Sequence, residues 1–237
     1  EGDVGILAPG TAQGGLGADA FAEEHHVIPL ASGGFNVFFR LGGQGFLGMA
    51  RTADPTGRKG WLPSSFARYW LPDMHECSRQ PTQPPQNLPA TGALKNPLGP
   101  TQVKRMRDGT ILMLFYNAKG DVLTGADAGI GGRNVLWLSS GRECAGELLW
   151  SQPEIAVYGD ADLPGQHFGT NAPCYPDIFD LKTGAVLITE TNKTTARLHR
   201  MPRELIDGVR GQFDADQFAA RGAVSLSKGA MQAPPLP

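Results

Sequence analysis

The sequence is poor in cysteine, in basic clusters and in long apolar runs. Cys77, Cys144 and Cys174 are an odd number at unrelated spacings, without a Cys-x-x-Cys pair. That pattern disfavours a zinc site and predicts thiols that are buried, with at most one disulfide. The five histidines, His25, His26, His75, His167 and His199, form neither His-Glu-x-x-His nor a His-x-x-x-His pair, so no metal is expected. The glycines of 129–132 are not followed by a lysine and a helix, so there is no phosphate loop, and no cofactor is expected. No stretch reaches about 18 consecutive apolar residues, which excludes a transmembrane helix. The 21 basic residues are scattered and outnumbered by 23 acidic ones. Neither nucleic acid nor a polybasic membrane patch is therefore an expected partner.

What the chain has instead is turn residues between short apolar runs. There are 32 glycines and 19 prolines, without the fixed period of collagen. Three strand series follow one another. The first comprises His26–Leu30, Phe35–Arg40 and Phe46–Ala50, separated by Gly-rich turns. The second comprises Thr101–Met106, the turn Arg107-Asp108-Gly109, Ile111–Tyr116 and Asn134–Leu138. The third comprises Glu154–Tyr158, Asp177–Phe179, Ala185–Thr189 and Ala196–Arg200, with a hairpin turn at Leu181-Lys182-Thr183-Gly184. Close spacing with such turns is an antiparallel, up-and-down pattern. Residues 71–92, with Pro81, Pro84, Pro85 and Pro89, read as a long connection. Residues 201–209 have Pro202 near the start and apolar positions at helical spacing, predicting one short helix.

The fold class is therefore all-β, with each series about the size of a propeller blade; a β-sandwich with long loops is the alternative. Residues 1–20 read as a loop or the end of a preceding blade, 21–210 as the blades, and 211–237 as a C-terminal extension. Both ends read as cut, so the chain is expected to be a piece of a longer polypeptide.

Three stretches resemble the sialidase superfamily. In Glu24–Trp61 a glutamate precedes a strand, Arg40 ends the next, and Thr52-Ala53-Asp54-Pro55-Thr56-Gly57, closing at Trp61, is similar to a degenerate Ser-x-Asp-x-Gly-x-Thr-Trp turn, the Asp-box. Arg133-Asn134-Val135-Leu136-Trp137, running to Trp150-Ser151-Gln152-Pro153, resembles a strand led by arginine and its blade-ending turn, with the Asp-box further eroded. Pro173-Cys174-Tyr175-Pro176-Asp177 resembles the segment carrying the sialidase tyrosine. The resemblance covers residues 20–205. It implies a six-bladed sialidase-like β-propeller, of which about three blades would be present.

The resemblance also implies chemistry. Sialidases clamp a sugar carboxylate with three arginines, use a tyrosine paired with a glutamate as nucleophile, and use an aspartate as acid/base. An arginine fork matches a carboxylate in two places, and a neutral tyrosine is not repelled by an anionic substrate as a carboxylate would be. By position, Arg40 and Arg133 would be clamp residues, Tyr175 the nucleophile and Glu24 its base, with Glu23 as the fallback. The first arginine and the acid/base aspartate belong to early blades that this chain lacks, and it has no Arg-Ile-Pro motif. The implied function is thus hydrolysis or binding of an acidic glycan or glycoprotein outside the cell. The rival reading is a catalytically inactive propeller in a structural or adhesive protein; a third is different polysaccharide chemistry on the same fold. The rest of the propeller would come from the same polypeptide or a neighbouring chain.

Two further features stand apart from the resemblance. Glu190, Lys193, Arg197 and His199 alternate in or beside a hairpin and read as a structural ion-pair network. Asn192-Lys193-Thr194 is an acceptor sequence for glycosylation, in a polar turn where Asn192 would be exposed.

Overall fold

A computed structural model describes residues 22–41, 45–69, 93–96, 99–117, 135–144, 146–158, 173–192 and 195–214, with backbone alone at 22, 23, 192 and 195. Its elements are almost all strands. The first series becomes a four-stranded antiparallel sheet: β1 (Ala22–Pro29), β2 (Phe35–Leu41), β3 (Leu47–Thr52) and the two-residue β4 (Ser65–Phe66). The second becomes β6 (Gln102–Arg105), β7 (Ile111–Phe115), β8 (Val135–Cys144) and β9 (Glu147–Trp150), in spatial order. The short β5 (Arg68–Tyr69) adds to this sheet in parallel beside β9, and β10 (Glu154–Tyr158) pairs with the first half of β8. The third sheet is β11 (Cys174–Asp180), β12 (Val186–Asn192) and β13 (Thr195–Arg200), followed by helix α1 (Arg203–Arg210). The all-β expectation thus holds, with the one short helix where Pro202 predicts it. β10 belongs to the second sheet rather than the third, because β9 pairs only with the second half of β8 and leaves the first half of that edge open.

The sheets stack face to face with the second in the middle. Ile28, Phe38 and Met49 of the first sheet pack on Ile111, Met113, Phe115 and Trp150 of the second. The Phe38 and Trp150 rings meet edge-on at 5.3 Å, the favoured arrangement of aromatic quadrupoles. On its other side, Leu112, Leu114, Leu136 and Leu138 pack on Ile178, Val186 and Ile188 of the third sheet and on Ile206 and Val209 of α1. A strand apolar on both faces, such as β7 with all five residues buried, suits only a middle layer. Each fully buried Leu, Met or Phe contributes about 1.5–3 kcal/mol relative to exposure.

The first strands of the three sheets lie together: β1 contacts β6, and β6 contacts β11. Their directions follow from the bonds at their ends. Arg105, ending β6, donates to the Pro29 carbonyl that ends β1, at 2.9 Å. The Arg107 amide, just past β6, donates to Asp180 at the end of β11, at 2.9 Å. All three strands therefore run the same way, and their N-terminal ends share one end of the stack.

Buried charge ties the sheets together. Glu147 of β9 accepts from Arg68 at 2.9–3.2 Å and from Arg51 of β3 at 3.3 Å. Glu143 of β8 accepts from the amides of Ala31 and Ser32 and from Arg105 at 2.6 Å. Burial works against its charge, and these donors outweigh it, holding the carboxyl below its ordinary range. Cys144 is buried and Cys174 partly buried, and they are not bridged to each other. The first residues past α1 return to the body: the Gln152 amide donates to Gln212 at 2.7 Å, and Gln212 donates back to the Gln152 carbonyl at 3.1 Å. The proline-rich connection lies outside the described residues.

Candidate functional site at the N-terminal strand ends

Two of the three first strands begin irregularly, and the residues at fault are the ones singled out in the sequence. In β1 the pairing with β2 slips between Glu23 and His25, so Glu24 is the extra residue of a bulge. In β11 the pairing with β12 slips between Cys174 and Asp177, at Tyr175 and Pro176. Glu24 has φ 34° and Tyr175 φ 45°, the non-glycine residues with positive φ among those described. Each such residue costs on the order of 1–3 kcal/mol and persists only where its surroundings hold it. At Tyr175 those surroundings are visible: Pro176 is buried, and the buried Tyr116 hydroxyl at the end of β7 donates to the Pro173 carbonyl at 2.5 Å. Bulges re-aim side chains, and they gather at strand edges and sites.

The result at Tyr175 is a ring 56% exposed. Its hydroxyl makes no hydrogen bond among the described residues. Tyr69 makes the contrast: its hydroxyl donates to Asn117 at 3.1 Å, and burial pushes its pKa well above the ordinary tyrosine value. Glu24, expected to serve Tyr175, is engaged elsewhere, since Arg40 donates to its carboxylate at 3.3 Å. The structure thus brings Glu24 and Arg40 together on the first sheet and puts Tyr175 on the third, at the same end of the stack. Arg133 lies outside the described residues, as does the side chain of the fallback, Glu23. Asn192 ends β12 and pairs with Thr195; its side chain lies outside the described residues.

Several groups near this end were not assigned a role from the sequence. Asp177 is exposed, two residues beyond Tyr175 with buried Pro176 between them. His26 of β1 feels its charge across the stack. Burial lowers the His26 pKa most, the neighbouring His25 lowers it further, and Asp177 pulls it back up. The alternation of Tyr175, Pro176 and Asp177 is the cue that the sequence offered.

The bulge at Tyr175 falls across from Glu190, because Cys174 pairs with Thr191 and Asp177 with Thr189. Glu190 is fully buried, lies directly opposite Arg197, and accepts from Arg197 and His199 (3.2 Å for the latter) through the same oxygen. Its other oxygen has no partner among the described residues. The ion-pair reading of this hairpin therefore holds for Glu190 and Arg197, with His199 hydrogen-bonded to the same carboxylate, while Lys193 lies outside the described residues.

The Thr52–Trp61 segment closes as a compact turn. Asp54 accepts from the amides of Thr56, Arg58 and Lys59 at 3.0 Å and from the Thr56 hydroxyl. The Thr56 amide leads the bonds that hold its carboxyl below the ordinary range. Thr52 donates to the Lys59 carbonyl at 2.7 Å, and the Trp61 indole donates to the Gly57 carbonyl at 2.9 Å. The second stretch compared with an Asp-box has no such turn. β8 runs straight through Ser139 and Ser140, whose polar groups are satisfied by Ser151 at 2.7 and 2.9 Å.

No protein-family model matches this chain, and no curated protein matches it. Among solved structures, a GH43 β-1,3-galactosidase with galactodeoxynojirimycin is similar over 79% of this chain, at 12% identity and a TM-score of 0.47. The chain spans 57% of that protein's length. Likeness at that level carries no conclusion about activity.

Proposed function

We propose that the three sheets are adjacent blades of a sialidase-like β-propeller and that the shared N-terminal end of β1, β6 and β11 receives an acidic glycan. The observation that carries this reading is the coincidence of strain with chemistry. Glu24 and Tyr175, picked out by resemblance, occupy the two strained bulges at that end. In this reading Arg40 exchanges Glu24 for the sugar carboxylate, and the released Glu24 becomes available as a base. The Tyr175 hydroxyl, with a reference pKa of about 10, would need such a base to act as nucleophile. The remaining blades and the rest of the arginine clamp come from the parent polypeptide or a neighbouring chain, and the protein works outside the cell.

The inactive, glycan-binding reading has its own support. Arg40 is held by Glu24, and the exposed Tyr175 hydroxyl makes no hydrogen bond among the described residues. Release of a fluorogenic aglycone from an α-sialoside, assayed on the full-length parent protein, separates the two readings. Hydrolysis that falls by at least about a hundredfold in Tyr175→Phe, as expected for loss of a nucleophile, supports the enzyme. Saturable sialoside binding without turnover supports the module. Neither turnover nor binding contradicts both.

A further inference from the structure

At the opposite end of the stack, the C-terminal ends of β6 and β11 and the flank of α1 enclose a groove of about 500 Å³. That volume is in the range of small-molecule sites. Its floor is apolar: Met106, Leu112, Val186, Met201 and Ile206 line it. No aromatic ring lines it, so it offers no stacking platform to a neutral sugar or a base.

The charges around the groove are unequal. Five cations, Arg107, Lys182, Arg200, Arg203 and Arg210, face three acids, Asp108, Asp180 and Asp207. Each acid is already engaged. Arg210 holds Asp108 at 3.0 Å, Arg203 holds Asp207 at 3.4 Å, and Asp180 accepts the Arg107 amide at 2.9 Å with the Arg107 guanidinium at 3.9 Å. Lys182 and Arg200 have no acid within 4.0 Å among the described residues. Both are exposed, one on the Leu181–Gly184 turn and one at the end of β13. The groove therefore combines an apolar floor for an apolar body with two uncommitted cations on its rim that can donate charge-assisted bonds to an anion.

We infer that this groove is a binding site for a small organic anion, a carboxylate or sulfate on a compact apolar body, with Arg200 and Lys182 taking the charge. The inference is independent of the glycan reading, since it uses the other end of the strands and none of its residues.

The test is amide NMR titration of the whole chain with phenylacetate, with 2-phenylethanol as the uncharged counterpart. Phenylacetate is expected to shift amides at the 107–110 and 181–186 turns saturably in the millimolar range, and more weakly as salt is added. In Arg200→Ala/Lys182→Ala its affinity should fall about tenfold or more, the size of a lost charge-assisted bond. Arg58→Ala, on the Asp54 turn, should leave it unchanged. Absence of saturable shifts at those turns in the wild-type chain overturns the inference without recourse to any variant. Equal binding of the alcohol, or unchanged affinity in a folded double variant, overturns it as well.

Discussion

Two glutamates in this molecule each hold arginine, and they are built for different ends. Glu147 is buried between two sheets, bonded to Arg68 through both oxygens and to Arg51 as well. Glu24 is exposed, stands on a strained bulge and makes one 3.3 Å contact to Arg40. The first arrangement gives the carboxylate donors where water cannot reach, so removing it strands two cations. The second joins an exposed carboxylate to a half-buried arginine, and a pair open to water on one side contributes about 0–1 kcal/mol. One pair fastens two sheets together; the other lies within the first sheet and leaves its carboxylate exposed. Charge alone therefore separates nothing here; burial and backbone strain distinguish the fastening pair from the one on the bulge.

The largest effect that sharpens this contrast is expected at Glu147. Glu147→Ala should lower unfolding stability by about 3 kcal/mol, the lower end for breaking a buried pair because both arginines are partly exposed. Glu24→Ala should cost less than about 1 kcal/mol while abolishing any sialoside turnover. Urea unfolding of the two variants checks both figures; equal losses would erase the distinction.

Tyr175 should move stability the other way. Tyr175→Asn keeps a residue that tolerates left-handed backbone and should raise stability by about 0.5–1 kcal/mol through relief of strain. A loss of stability, read from the thermal midpoint, would mean that the ring packs usefully and that the bulge serves the fold.

The smallest effect is a pH dependence. The folded-state pKa of Glu143 is depressed, so its contribution is present above its unfolded value and is lost as pH falls through the folded value. Urea midpoints taken from about pH 7 down to about pH 3 should fall less steeply in Glu143→Gln than in the wild type. Parallel profiles would show that Ala31, Ser32 and Arg105 do not hold this carboxylate in its charged form.

Much of the sheet architecture was legible in local pattern. β7 is an unbroken apolar run, and β10 falls on the expected run Glu154–Tyr158. β9 escaped, because Gly146-Glu147 reads as a turn and Glu147 is acceptable in a strand only when Arg51 and Arg68 arrive from far along the chain. The second half of β8 escaped for a similar reason. Ser139-Ser140-Gly141 has turn composition, yet Ser151 satisfies the Ser139 hydroxyl and the Ser140 amide, and Gly141 leaves room where a Cβ would come within 2.9 Å of the Trp150 ring. At the candidate site, residue types and order pointed to Glu24, Arg40 and Tyr175. The left-handed backbone at two of them was not legible, because no glycine announces it.

Whether the N-terminal ends of β1 and β11 receive one anion between them is decided by direct binding. The most direct measurement is amide NMR titration of the chain with N-acetylneuraminic acid. Saturable shifts are expected at Glu24, Arg40 and Tyr175 together, lost in Arg40→Ala while the Glu147 amide stays put. Shifts confined to one bulge, or to neither, would contradict it.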